Sequence, residues 1–193
     1  MSMVIKKFEE NPKSGDGEVV VFAKKCFTAL FVVLLLFILM ACSDRDESSP
    51  SSVSGYNYTE YYIGQFGIEN EDQEFLASGP NIFPKERGEA RSGGRASVCC
   101  IGIPAHWRPG LKLVIRWRRD TKPYDDDRSG DQWLTASTDV PPYGPHNYGF
   151  WVHFLPDDRI RVEIQDKPEM PEKPADNDPY IVQGMLDPEL DKK

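Results

Sequence analysis

The side chains able to do chemistry are few and scattered. Cys99 and Cys100 are adjacent, His106, His146 and His153 lie far apart, and Asp125, Asp126 and Asp127 form an acidic triplet. Three distant histidines hold a metal only if the fold converges them, so packing and loop roles are expected and no metal site is assigned. Consecutive aspartates lack the spaced oxygens and registered glycine of a calcium loop, so a solvated loop is expected there. Neighbouring side chains in a regular strand point to opposite faces, which predicts buried free thiols at Cys99 and Cys100 rather than a bridge. Asn57-Tyr58-Thr59 has the form of a glycosylation sequon and is given no role. Trp107 with Arg108, and Trp117 with Arg118 and Arg119, have two readings. One is a binding face, because Trp and Arg dominate interface hot spots; the other is strand-edge packing with stacked guanidiniums. The chain has no G-x-S-x-G elbow, Walker loop, G-x-G-x-x-G run or H-E-x-x-H pair. No catalytic or cofactor-binding residue is therefore assigned and a non-enzyme is expected; an enzyme would need a polar cleft built by the fold around His106 or His153.

The most specific chemistry lies further forward. Residues 27–40, FTALFVVLLLFILM, are uncharged, follow Lys24 and Lys25, and end at Ser43, Asp44, Arg45, Asp46 and Glu47. That run is at the short edge of the ~17–25 apolar residues a spanning helix needs, and its basic, apolar and small-residue order is that of a secretory signal. Leu39-Met40-Ala41-Cys42 resembles the lipobox of bacterial lipoproteins. The resemblance implies that residues 1–41 are a signal peptide and that the Cys42 thiol is lipidated. Two or more chains, at ~0.8 kcal/mol per buried methylene, give stable anchoring where one is marginal. Glu9, Glu10, Asp16 and Glu18 dilute the basic end, so the true start is expected near residues 19–21. The mature protein is then lipid-anchored on the periplasmic face of a bacterial membrane, the outer membrane being favoured because Ser43, not aspartate, follows the cysteine.

Removing residues 1–41 leaves 18 basic against 27 acidic residues, a net charge of −9. Phosphate contacts require clustered positive charge, so nucleic acid is excluded as a partner. Cys42, Cys99 and Cys100 alone remain, too few for a disulfide framework.

The elements that must carry these residues read as strands. Residues 42–55 contain SDRDESSPSSVSG, Ser-rich with Val53 the one large apolar side chain, and predict a flexible tether. Residues 56–68, with Tyr62, Phe66 and Ile68 at even offsets, favour a strand, whereas 69–95, rich in Gly and Pro, read as a long excursion. Residues 97–103 predict a buried strand with Cys99, Ile101 and Ile103 on one face. Leu111, Leu113, Ile115 and Trp117 alternate with Lys112, Val114, Arg116 and Arg118, the period of two of a half-buried strand. Residues 131–138 predict another, and three prolines in 140–145 exclude a helix there. Residues 150–155 are apolar on both faces, as in a central strand, and Asp157-Asp158 turns them into Ile160, Val162 and Ile164, a hairpin. No stretch of the mature chain shows a capped 3.6-residue period, so the fold expected over 56–166 is a mainly antiparallel β sandwich or curled sheet with long loops. Residues 167–193, with five prolines, predict an extended acidic tail that docks through 180–186.

Taken in order, Tyr56-Asn57-Tyr58-Thr59 with Tyr62-Ile63, Ser97-Val98-Cys99-Cys100, Ile103-Pro104 with Trp107-Arg108-Pro109-Gly110, Val140-Pro141-Pro142-Tyr143-Gly144 and Val152-His153-Phe154-Leu155-Pro156 resemble the DUF3304 family of bacterial lipoproteins. The resemblance runs from about Tyr56 to Ile164 and carries no catalytic residues. It implies a partner, a phospholipase effector of type VI secretion, and a role as the periplasmic immunity protein that neutralises it; the alternative is a structural or envelope-assembly lipoprotein without a toxin partner. Because exposed loops commonly carry recognition, the loops 69–95, 125–131 and 141–146 are the expected interface, with Trp107, Arg108, Asp125, Asp126, Asp127 and Tyr143 as candidate contacts.

Overall fold

The computed structural model describes residues 47–190; the signal peptide and the lipidation at Cys42 lie outside the described residues. Eleven strands follow one another: β1 (Ser48–Asn57), β2 (Tyr62–Glu69), β3 (Phe75–Gly79), β4 (Ser92–Gly93), β5 (Val98–Pro104), β6 (Lys112–Asp120), β7 (Asp131–Asp139), β8 (Gly149–Leu155), β9 (Arg159–Gln165), β10 (Val182–Gln183) and β11 (Met185–Leu186). They form two sheets. Sheet A has the order β10-β9-β8-β1-β4, with β5 also paired to β1, and sheet B the order β11-β7-β6-β2-β3.

The expected sandwich is present, and alternation explains it. Phe150, Val152 and Phe154 of β8 and Ile160, Val162 and Ile164 of β9 pack against Phe66 and Ile68 of β2 and Leu113, Ile115 and Trp117 of β6 in one buried core. All seven residues of β8 are buried, as a both-faces-apolar run requires. Asp157 and Asp158 take φ values of 61° and 58°, the left-handed region in which Asp is among the more tolerated residues, and so close the β8–β9 turn.

Two expectations are corrected. Ser48–Gly55 is not a tether but most of β1, a central strand of sheet A: it pairs with β5 and β4 on one side and with β8 on the other. Small polar side chains did not prevent burial, because Ser51 Oγ donates to Asn147 Oδ1 at 2.7 Å and Ser54 Oγ to the Ala96 carbonyl at 2.7 Å. The strands are mainly antiparallel as expected, with β1 and β8 of sheet A running parallel and Tyr56 opposite His153. Cys99 and Cys100 form a vicinal disulfide and both are exposed. The peptide joining them is cis and their Cα atoms lie 3.1 Å apart.

The excursion over 69–95 contains β3 and β4, and Ile82 bridges to Ile63. Gly79 of β3 lies opposite Phe66, and a Cβ there would fall on the Phe66 ring. That ring is fully buried and packs edge-on against Phe154 at 5.2 Å, so it cannot swing away. We expect Gly79→Ala to cost about 1–3 kcal/mol, the overpacking range, as a lowered urea midpoint with an unchanged slope.

Candidate functional site

The strand register of sheet A sets an unusual group of side chains on its outer face. Tyr56 of β1 is opposite His153 of β8, which is opposite Arg161 of β9, and Trp151 is opposite Glu163. Their inward neighbours fill the core, so these residues point away from it. Tyr56 stacks on Trp151 with ring centroids 5.0 Å apart, and Tyr58 stacks on His153 at 5.9 Å. Arg91, just before β4, places its guanidinium over the Tyr56 ring at 3.6 Å, a cation–π contact.

A polar chain runs through this group. Arg91 Nη1 lies 3.4 Å from the Tyr58 hydroxyl, which lies 3.2 Å from His153 Nδ1. His153 Nε2 faces Glu163 Oε2 at 3.5 Å, Glu163 pairs with Arg161, and Arg161 Nε donates to Asp178 Oδ2 at 3.1 Å. His153 is 0% exposed. Burial pushes its pKa below 6.5 against the pull of the Glu163 carboxylate, with Arg161 and Arg91 adding to the depression, so the imidazole is neutral at pH 7. For Glu163 burial acts upward, but His153 and the Arg161 guanidinium outweigh it and its pKa is lowered. Burial raises Tyr58, tempered by Arg91.

The chain's own C-terminal segment closes over this face. Ile181 packs on Tyr56, Tyr58, Trp151 and Leu155, and Arg91 donates to the Pro171 carbonyl at 2.7 Å. The segment then passes from one sheet to the other: β10 pairs with β9, Gly184 N donates to the Asp158 carbonyl at 2.8 Å, β11 pairs with β7, and Asp187 N donates to the Trp133 carbonyl at 2.8 Å. We call residues 167–190 the strap. A cavity of about 550 Å³ lies between it and Arg161, Glu163 and Gln165 of β9. Polar groups do gather around His153, but under the strap rather than in an open cleft.

Sheet B presents the opposite character. Outward-facing Val114, Arg116, Arg118, Trp133 and Thr135 are each only half-buried, so this face is open to solvent. Arg116 Nη2 lies 3.3 Å from Glu69 Oε2 and Arg118 Nε 3.7 Å from Asp131 Oδ2. Even so, Glu69 Oε2, Arg116 Nε and Arg118 Nε are buried without a hydrogen bond. Phe75 at one edge and Met185 at the other are each 67% exposed.

The candidate contacts fall into two places. Trp107 Nε1 donates to the Val140 carbonyl at 2.9 Å and the Tyr143 hydroxyl to the Pro104 carbonyl at 2.8 Å, cross-linking the segment after β5 to the loop after β7. Burial raises the Tyr143 pKa, and the Arg108 guanidinium tempers that rise. For Trp107 and Tyr143 the packing reading fits these bonds. Asp125, Asp126 and Asp127 are all exposed in the β6–β7 loop, where Asp127 Oδ1 accepts from Ser129 Oγ at 2.7 Å and its pKa is lowered by the Ser129 hydrogen bonds. The two places flank opposite ends of β6, nine residues long, or about 30 Å at ~3.3 Å per residue. Of the histidines, His153 alone joins the polar chain, while His106 and His146 are exposed, and among the described residues no group of His, Cys, Asp or Glu could hold a metal ion.

Reading the sequence missed Tyr58, Arg91, Arg161 and Glu163. One signal was available: a lone histidine in the doubly apolar β8 must find a polar partner once buried, and the outward residues of β9 are its nearest neighbours. Asn57, given no role, is fully buried and clasps the β1–β2 turn, accepting from Thr59 N at 2.9 Å and donating to the Tyr61 and Phe83 carbonyls.

The family model DUF3304, a protein of unknown function, matches residues 56–162. No curated protein and no solved structure matches the chain.

Proposed function

Given that the chain belongs to the DUF3304 family, we propose that it is a lipid-anchored immunity protein that binds and neutralises a phospholipase effector of type VI secretion at the periplasmic face of the membrane. The observation that carries a binding role is the open face of sheet B. Half-buried arginines and Trp133 sit between exposed Phe75 and Met185, the aromatic and Arg chemistry of interface hot spots. The lipobox at Leu39-Met40-Ala41-Cys42 supports the location, since a tether raises the effective concentration of an inhibitor at the surface its target attacks. The link to a phospholipase rests on the resemblance to lipoproteins encoded beside lipase effectors, which is association.

The test is survival of cells that export a type VI phospholipase effector to the periplasm, with and without this protein in the same compartment. Rescue with a stable complex is expected, and Arg118→Ala with Phe75→Ala should weaken the complex at least ~10-fold, the effect of losing about 1.4 kcal/mol. Cys42→Ala should lose palmitate label, membrane retention and part of the protection. Absence of rescue by well-expressed, anchored protein would favour the envelope-assembly role instead.

A further inference from the structure

The polar chain on sheet A holds the first half of the strap at two points. Arg91 bonds Pro171 and Arg161 bonds Asp178, and between them stand Tyr58, His153 and Glu163. Hydrogen counting fixes the direction of each bond. A guanidinium can only donate and a carboxylate can only accept, so the Tyr58 oxygen accepts from Arg91, and a neutral imidazole with its hydrogen toward Glu163 leaves Nδ1 to accept from the Tyr58 hydroxyl. The remaining imidazole hydrogen is then on Nε2, facing the Glu163 carboxylate. Of these contacts, the bond from the Tyr58 hydroxyl to Nδ1 is the one that requires a neutral His153.

A proton taken from solvent has only Nδ1 to occupy. The new N–H meets the Tyr58 hydroxyl, whose hydrogen must turn away from it. The new cation also sits between two others. The charged and titratable groups around His153 are Tyr56 and Tyr58 on or just after β1, Arg161 and Glu163 on β9, Arg91 before β4 and, through Arg161, Asp178 of the strap. Two guanidiniums oppose the cation and one adjacent carboxylate favours it.

We propose that His153 is a proton-operated latch: neutral, it keeps residues 171–183 against sheet A; protonated, it releases them and uncovers Tyr56, Tyr58 and Trp151. The sign follows from linkage. Burial lowers the pKa of the docked form below the ordinary 6.5, so the released form binds the proton more readily. Docking is complete above about pH 6.5 and is lost as pH falls through the depressed value.

Hydrogen–deuterium exchange of the full mature protein tests this from about pH 7.5 to about pH 5, above the range in which carboxylates titrate. After correction for intrinsic exchange, the Gly184 amide, which bonds the Asp158 carbonyl, should exchange up to about tenfold faster per pH unit below the midpoint, as for one proton, while β6–β7 amides do not change. His153→Gln should abolish this response, and Glu163→Gln, which removes the favouring carboxylate, should move the midpoint to lower pH. In the wild-type protein the His153 imidazole and the Ile181 methyl resonances should titrate together, which keeps the test decisive should His153→Gln fail to fold. Strap exchange independent of pH, an undiminished response in folded His153→Gln, or an Ile181 methyl that does not follow His153 would each overturn the latch.

Discussion

A variant lacking residues 46–55 is expected not to fold. These ten residues contain Ser48–Gly55, which supplies β1 with its pairing to β5 and with Val53, Ser54 and Gly55 of its parallel ladder to β8. Removing them leaves β8 with an unpaired buried edge and deprives β5 of its partner in sheet A. Val53 is fully buried in the core between the sheets. Each orphaned and buried peptide group costs about 1–3 kcal/mol, and several together exceed the ~5–15 kcal/mol that holds a domain folded. The expected result is loss of cooperative unfolding by circular dichroism and collapse of amide dispersion in NMR spectra. A tether would behave differently, because shortening it would leave the fold intact. A folded deletion variant would therefore remove β1 from the architecture.

Phe154→Ala is expected to lose about 3–5 kcal/mol, the range for truncating a buried aromatic side chain. Phe154 belongs to sheet A, yet its ring meets Phe66 at 5.2 Å and Trp117 at 5.9 Å, both from sheet B. It is 2% exposed. Three rings at edge-on or tilted angles form the contact between the sheets, and two sheets locked by their ladders cannot close a gap of ring size. The measurement is urea unfolding, in which the midpoint should fall with little change in slope. A loss under 1 kcal/mol would mean that the sheets move together to fill the space.

The elements that show most plainly in the sequence are those whose burial is carried by their own side chains. Leu113, Ile115 and Trp117 alternate with residues that face solvent, and β6 lies where that period puts it. The both-faces-apolar run before Asp157-Asp158 became β8, and the hairpin to β9 followed. Sequence also determined the outward placement of Arg116 and Arg118, and with it the open face on which the proposed function rests. Residues 180–186 supplied the docking strands β10 and β11.

What only tertiary structure decided concerns residues whose partners lie far along the chain. β1 carries small polar side chains because neighbours close over it: a Cβ at Gly55 would stand 2.7 Å from Ile82 Cδ1 and 3.0 Å from the Val152 carbonyl. Its contribution is backbone hydrogen bonding on two sides, which leaves no hydrophobic signature in composition. The His153 chain is equally invisible locally. Tyr58 and His153 are 95 residues apart and Arg91 and Pro171 are 80 apart. They meet because a parallel β1–β8 pairing sets Tyr56 beside His153 and because the strap returns across sheet A. Strand period determines which face a side chain takes, but only the order and register of strands determine which side chains share that face.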